Sequence, residues 1–269
     1  MKFMEILGYI LGTLIGITLG LIGSGGSILT VPILVYIFNI NPVLATAYSL
    51  FIVGFTALVG GFQNARNNNV DFKSVVLFGI PSIVAVYISR AYLLPLIPDQ
   101  IITIGNFELT KSIALMILFS IIMILSSISM IKKNKKTTTT KQINQKQNYL
   151  FILLEGTMVG ILTGLVGAGG GFLIIPVLVI LTGMPMKLAV GTSLFIVALK
   201  SIIGFVGDLQ NNYSQIDWKL LLGFTSLSVI GIFIGIYLSK HIKNEHLKTI
   251  FGYFVLVMGI YILFKELFL

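Results

Sequence analysis

The sequence predicts an all-α membrane protein with two inverted-topology repeats of about five helical segments each, and with short or broken helices at glycine-rich motifs. The first observation behind this fold class is composition: 56% of the residues are hydrophobic, 10% are charged and the mean hydropathy is +1.01. Soluble domains carry about 25% charged residues, so this chain has too little polar surface to face water. The second observation is that the apolar runs are continuous and suit helices of about 20 residues, whereas barrel strands alternate.

The third observation is an internal repeat. Residues 16–61 and 160–205 align without a gap at an offset of about 144 residues, and 19 of the 46 positions are identical. The first copy contains GITLGLIGSGGSILTVPILV and the second contains GILTGLVGAGGGFLIIPVLV. The similarity extends to 70–73 and 216–219, which read VDFK and IDWK. Duplicated apolar halves that are interrupted at matching glycine and proline positions are typical of membrane transporters.

The apolar stretches divide the chain into two halves of five segments. In the first half we expect segments near 3–22, 28–40, 43–62, 73–97 and 112–131. In the second half we expect them near 149–166, 172–183, 187–206, 218–238 and 248–268. The predicted domains are therefore a first transmembrane repeat over 1–131, a basic linker over 132–148 and a second transmembrane repeat over 149–269.

Charge in the loops predicts the orientation. Loops rich in lysine and arginine stay in the cytoplasm, which places the linker with its six lysines and the 239–248 loop inside. Counting crossings from these loops places both chain ends outside, together with the 98–111 and 207–216 loops. Because each half has an odd number of crossings, the two halves have opposite orientations. We expect a multi-pass protein of the cell (inner or plasma) membrane.

A glycine-rich break precedes the short second segment of each half. The breaks are GSGGS over 23–27 and GAGGG over 167–171. Each following segment has about 12–13 apolar residues, under 20 Å of helix, whereas the hydrocarbon core is about 30 Å thick. Unwound backbone in a bilayer is tolerated where it is buried in protein or lines a wet cavity. The N–H groups and dipole of the next helix favour an anion, so we predict that the breaks form a substrate site.

The alternative is that these glycines only let helices pack closely, as small residues do in membrane proteins. We assign the pairs Gly16 and Gly20, and Gly160 and Gly164, to such packing.

Hydroxyl groups and one lysine complete the predicted site. Lys200 lies in a predicted membrane helix, where a charge costs about 2.5–3.5 kcal/mol on insertion scales, so it either holds an anion or reaches the outer interface. Ser49 and Ser193 occupy matching repeat positions and either donate to a ligand or bond to their own helices. The predicted substrate-binding residues are Gly23, Ser24, Gly25, Gly26, Ser27, Ser49, Gly167, Gly169, Gly170, Gly171, Ser193 and Lys200.

Other charged residues have less specific roles. We expect Arg90 to anchor the protein at the membrane interface and Arg66 to serve as a positive inner-face residue, with binding of an oxyanion as the alternative for Arg66. Glu155 is the candidate for proton coupling, with an interfacial position as the alternative. The chain has no cysteine, no phosphate-binding loop and no catalytic Ser/His/Asp set, so we expect no cofactor, no metal site and no enzyme activity. The net charge of +9 lies mainly in loops, so no nucleic-acid partner is expected.

The two copies of G-x-G-G-(G/S)-x-L-x-x-P-x-L, over 23–34 and 167–178, resemble the TauE/SafE family of sulfite and organosulfonate exporters. The resemblance covers essentially the whole chain. It implies a small, sulfur-containing anion as substrate, such as sulfite or a sulfonate, but neither its identity nor the direction of transport.

The predicted function is a secondary transporter that works by alternating access. Its partners would be the anionic substrate, the lipid bilayer and a coupling ion, either a proton or sodium. The alternatives are an anion channel, or a non-transporting membrane subunit or enzyme. The sequence leaves the oligomeric state open.

Overall fold

The computed structural model describes residues 2–23, 25–104, 107–131, 149–210, 216–239 and 244–268. These residues form an all-α fold with ten helices, since two π-helical turns continue the helices before them. In the first half the helices are α1 Lys2–Ile22, α2 Gly25–Pro32, α3 Pro42–Arg66, α4 Phe72–Ile88 and α5 Lys111–Ile131. In the second half they are α6 Tyr149–Val166, α7 Gly171–Thr182, α8 Met186–Leu209, α9 Trp218–Ser239 and α10 Asn244–Phe268.

The helices match the predicted segments closely. α2 extends through a π-helical turn over Ile33–Ile37, and α4 through a π-helical turn over Ser89–Leu93 and a last turn over Leu94–Leu96. α3 and α8 each run about one turn beyond their predicted ends, to Arg66 and Leu209. The predicted linker over 132–148 lies outside the described residues.

Five helices in the described part of the chain are long and apolar enough to cross a membrane. They are Pro42–Arg66, Phe72–Leu96, Lys111–Ile128, Met186–Leu209 and Trp218–Ser239. Shorter apolar helices cover Ile10–Ile22, Gly26–Ile37 and Ile152–Val166. Large apolar side chains on the outside of the fold, such as Val84, Leu125 and Met158, are more than half exposed, as residues that face lipid are. The structure is that of a multi-pass membrane protein.

A β-hairpin occupies the region where the sequence predicts a loop, over 98–111. Strand β1, Gln100–Ile104, pairs antiparallel with strand β2, Phe107–Thr110. Three isoleucines and a threonine follow Gln100, and β-branched residues favour extended backbone.

Helices α3 and α8 cross antiparallel at the centre of the fold. A Cβ on Gly54 would lie 3.1 Å from the backbone nitrogen of Ile202, and a Cβ on Gly61 would lie 3.3 Å from that of Phe195. Later residues of α3 therefore contact earlier residues of α8, as in an antiparallel pair. In the first half, Asn41 caps α3 by accepting a hydrogen bond from the Val43 N–H at 2.9 Å.

The remaining helices pair across the two halves. α1 packs parallel to α9, and α6 packs parallel to α4. A Cβ on Gly20 would lie 2.8 Å from the Ile236 backbone nitrogen, and one on Gly160 would lie 2.6 Å from the Ser82 carbonyl oxygen. Gly16 likewise has no room for a side chain against Ser228. The prediction that these glycines serve helix packing is confirmed.

Candidate substrate site

The second glycine-rich break is unwound backbone between two helices. α6 ends at Val166 and α7 begins at Gly171. Gly167, Gly169 and Gly170 have φ of +71°, +61° and +66°, a conformation that glycine adopts without a steric penalty. Each of these glycines is buried, so the break lies inside the protein, as the sequence predicts.

Lys200 of α8 reaches this break. Its side chain is 1% exposed, and its Nζ donates a hydrogen bond to Thr163 Oγ1 at 3.0 Å. A Cβ on Gly170 would lie 2.9 Å from the same Nζ and would collide with the Thr163 methyl group. The alternative that Lys200 reaches the membrane interface is therefore wrong. Among the described residues, no Asp or Glu oxygen lies within 4.0 Å of this nitrogen.

Two serine side chains, Ser201 and Ser49, are fully buried, and Ser201 lies beside the break. Ser201 Oγ would lie 3.3 Å from a Cβ on Gly169, and it has no hydrogen-bond partner within the described structure. Ser49 Oγ is also buried with no partner there. Ser201 and Thr163 are not among the site residues predicted from the sequence. The available signal for Ser201 was that it directly follows Lys200 in the sequence.

The first break is shorter and has no lysine at the equivalent place. α1 ends at Ile22, α2 begins at Gly25, and Gly23 has a φ of +78°. A Cβ on Gly23 would lie 2.5 Å from the Val190 side chain at the start of α8. Ser193 donates its hydroxyl to the Val190 carbonyl oxygen at 2.8 Å, so it bonds to its own helix, and its Oγ lies 3.5 Å from the Gly23 oxygen.

The other predicted residues of the first break have packing contacts or fall outside the described chain. Gly26 would place a Cβ 3.0 Å from the Leu19 backbone nitrogen, and Ser27 is fully buried. Gly25 starts α2, and Ser24 lies outside the described residues. The structure therefore places Lys200 at the second break, with Gly169 and Gly170, and leaves the first break without a cationic side chain from its repeat counterpart, Thr56.

A buried ion pair lies at one end of the α3–α8 pair. Arg90 and Asp208 are 0% and 1% exposed, and Arg90 Nη1 lies 3.3 Å from Asp208 Oδ2. The same Nη1 donates to Thr46 Oγ1 at 3.0 Å. The prediction that Arg90 is an interfacial anchor is wrong, as is the placement of Asp208 in a loop. The reason is that α8 continues past its predicted end and carries Asp208 against α4, where each charge has a partner.

A cavity lies at the opposite end of the same helix pair. Its volume is about 190 Å³, and it is lined by Gly20, Leu21, Asn64, Asn67, Asn69, Lys187, Val190, Ile236 and Ser239. By the loop charges, this end is the predicted cytoplasmic end. Arg66 is exposed there and stacks over the Phe62 ring at 4.8 Å, as a positive inner-face residue would.

The last two predictions concern proton coupling and metal binding. Glu155 on α6 is partly exposed and its Oε2 is buried with no partner among the described residues, so its coupling role stays a prediction. The part of the chain that the structure describes contains no group of three or more His, Cys, Asp or Glu side chains that could hold a metal ion.

A multi-pass helical fold with helices interrupted at glycine-rich breaks is typical of membrane transporters. The profile of the sulfite exporter TauE/SafE family matches residues 8–266, so the chain belongs to that family.

Similar proteins cover nearly the full length of the chain. A probable membrane transporter protein of Xylella fastidiosa (strain 9a5c) is 29% identical over 95% of this chain and 93% of its own. One of Methanocaldococcus jannaschii is 30% identical over 94% of this chain and 93% of its own. One of Bacillus subtilis (strain 168) is 25% identical over 96% of this chain and 97% of its own. No solved structure matches the chain significantly.

Proposed function

We propose that this protein is a secondary transporter that moves a small, sulfur-containing oxyanion, such as sulfite or a sulfonate, across the cell membrane by alternating access. The second break and Lys200 form the binding site. The observation that carries this proposal is the Lys200 ammonium, which is buried at unwound backbone and lacks a carboxylate partner among the described residues.

The chemistry of the site fits an oxyanion. A buried cation is costly unless it is paired, and an anionic ligand supplies the missing charge. An ammonium has three N–H donors, and Thr163 accepts one of them. The Ser201 hydroxyl and the N–H groups at the start of α7 add further donors around Gly169 and Gly170. Several donors around one point match the three oxygens on a sulfite or sulfonate sulfur.

The packing of the two halves supports alternating access. Matched helices of the two halves pack against each other, with α3 antiparallel to α8 and with α1 and α6 each paired to the fourth helix of the other half. An inverted repeat allows the same fold to open to either side by exchanging the conformations of its halves. A proton or sodium gradient would supply the energy, with Glu155 as the proton-coupling candidate.

The test is an uptake screen in proteoliposomes that contain only the purified chain. We expect saturable uptake of at least one of sulfite, thiosulfate, taurine or sulfoacetate, together with counterflow. High ohmic conductance without counterflow would favour a channel, and no flux would favour a membrane subunit or enzyme. Preference for an organic cation would overturn the electrostatic basis of the proposal.

A further inference from the structure

We infer that the buried Arg90–Asp208 pair is a gate at one end of the transport path, and that the cavity bounded by Asn64 and Lys187 is the open end of that path. This inference rests on the proposed function, because a gate has meaning only in a protein that opens to two sides. In this structure the ion pair is buried at one end of the α3–α8 pair, and a cavity of about 190 Å³ lies at the other end.

The two features occupy equivalent positions in the two repeats. Equivalent residues of the two repeats are about 144 positions apart up to the third segment and about 146 positions apart after it. These offsets relate the residues of the ion-pair end to residues that line the cavity. The counterparts are Asn64 for Asp208, Val190 for Thr46 and Ile236 for Arg90. Equivalent residues of the two repeats therefore line a cavity at one end of the α3–α8 pair and form a buried, charged contact at the other end.

The two positions lie at opposite ends of the same helix. Thr46 lies near the start of α3 and Asn64 near its end, which separates them by about 27 Å at 1.5 Å per residue. Because α8 runs antiparallel to α3, Val190 lies beside Asn64 and Asp208 beside Thr46. Lys200 lies between Val190 and Asp208 on α8, so the proposed binding site is between the two ends.

An ion pair suits the role of a gate because it can both close and open. When it is closed, Arg90 Nη1 connects α4 to α8 through Asp208 and to α3 through Thr46, so one guanidinium holds three helices together. When it opens, water solvates both charges, and this recovers much of what is lost with the contact. An apolar plug of the same size would have no such compensation. The amide groups of the cavity end provide a polar path for an anion there.

Paired cysteine reporters test the gate, and the chain contains no other cysteine. Thr46→Cys reports on the ion-pair end, where its sulfur replaces the Thr46 hydroxyl as a weaker acceptor for Arg90 Nη1 while the Arg90–Asp208 pair is retained. Its repeat counterpart Val190→Cys reports on the cavity end. Each variant is treated in sealed vesicles with a membrane-impermeant thiol reagent, applied from one side at a time. We expect Val190→Cys to react from the cavity side and Thr46→Cys to be protected from both sides.

Neutralising the pair should open the protected end. Added to Thr46→Cys, Asp208→Asn should raise the labelling rate from the ion-pair side at least about tenfold, as expected when a minor open state becomes well populated. The matched control is Asp99→Asn, an exposed residue on the same side of the fold, which should change nothing. Exchanging the charges, Arg90→Asp with Asp208→Arg, should restore protection.

A second variant covers the case in which Asp208→Asn does not fold. Arg90→Lys keeps the charge but loses the planar group that joins Asp208 and Thr46, so it should raise labelling partially. Continued protection of Thr46→Cys in either folded variant, judged by a monodisperse gel-filtration peak, would overturn the gate. Labelling requires no transported substrate. Increased labelling without any flux would therefore defeat the proposed function alone, whereas unchanged labelling with flux would defeat the gate alone.

Discussion

The Lys200 ammonium donates a hydrogen bond to the Thr163 hydroxyl at 3.0 Å, and both side chains are buried. The contact joins α8 to α6 beside the second glycine-rich break. At the repeat offset of about 144 residues, the counterparts of these two residues are Thr56 and Leu19. Both copies of the repeat therefore have a glycine-rich interruption, but only the second has a lysine beside it, and the proposed anion site belongs to the second half.

Lys200→Gln should weaken substrate affinity while the protein still folds. A hydrogen bond to a charged group contributes about 1.5–3 kcal/mol, so the apparent Kd should rise about tenfold or more. A neutral amide is also cheaper to bury than an ammonium, so folding should not suffer. Uptake kinetics with the best anion of the screen measure the change. Lys219→Gln, at an exposed lysine, is the control, and equal affinities for both variants would remove Lys200 from the site.

Thr163→Val should also weaken affinity, by about tenfold, because it removes the acceptor that holds the ammonium at the break. The two side chains have similar shapes, so packing is preserved. Thr163→Ser should restore most of the affinity. Thr157→Val on the same helix is the control, since that hydroxyl bonds to its own helix at Leu153. A loss of affinity in the control as well would mean that the effect arises from α6 as a whole.

Gly170→Ala should abolish uptake, whereas Gly183→Ala should not. Both glycines have a φ of +66°, so both substitutions cost about 1–2 kcal/mol of backbone strain. Only at Gly170 would the new methyl group collide with Thr163 and approach Lys200, because nothing lies within 4 Å at Gly183. Uptake per folded protein separates the two effects. Equal activity in both variants would show that the space beside Gly170 is not used by substrate.

Gly160→Ala should lower thermal stability, and Gly223→Ala should not. The new Cβ at Gly160 would lie 2.6 Å from the Ser82 carbonyl oxygen and force α6 away from α4, which typically costs about 1–3 kcal/mol. Gly223 on α9 has open space, and alanine there is the better helix former. The melting temperature in detergent measures both variants. Similar values would contradict the close packing of α4 and α6.

A membrane-impermeant thiol reagent that is added outside intact cells should not label Thr140→Cys. The same reagent should label it once the cytoplasmic side is exposed, as in inside-out vesicles. Position 140 lies in the predicted linker, whose lysines favour the cytoplasm. Gln100→Cys is the matched reporter for the opposite face, because it lies in the 98–111 region that we predict outside. Labelling of position 140 from outside would reverse the predicted orientation, and with it the side on which the cavity end opens.

Much of the fold could be predicted because it depends on local properties of the chain. The length of an apolar run predicts whether it can form a membrane helix, and several glycines close together weaken a helix at that place. The bounds of α3 and α8 differ from the prediction because their last turns contain polar residues such as Asn64 and Asp208, which hydropathy assigns to loops. The β-hairpin was missed because a short strand pair has little sequence signal beside helices.

The sequence by itself determined the membrane class, the duplicated halves and the two breaks. It also identified Lys200 as a charge that is costly to place in a membrane helix. Only the tertiary structure decided what each charge meets. Arg90 and Asp208 are separated by 118 positions, and Lys200 and Thr163 by 37, so no local pattern relates them. The physical reason is that burial of a charge is decided by the helices packed around it, while hydropathy reports only the preference of each residue alone.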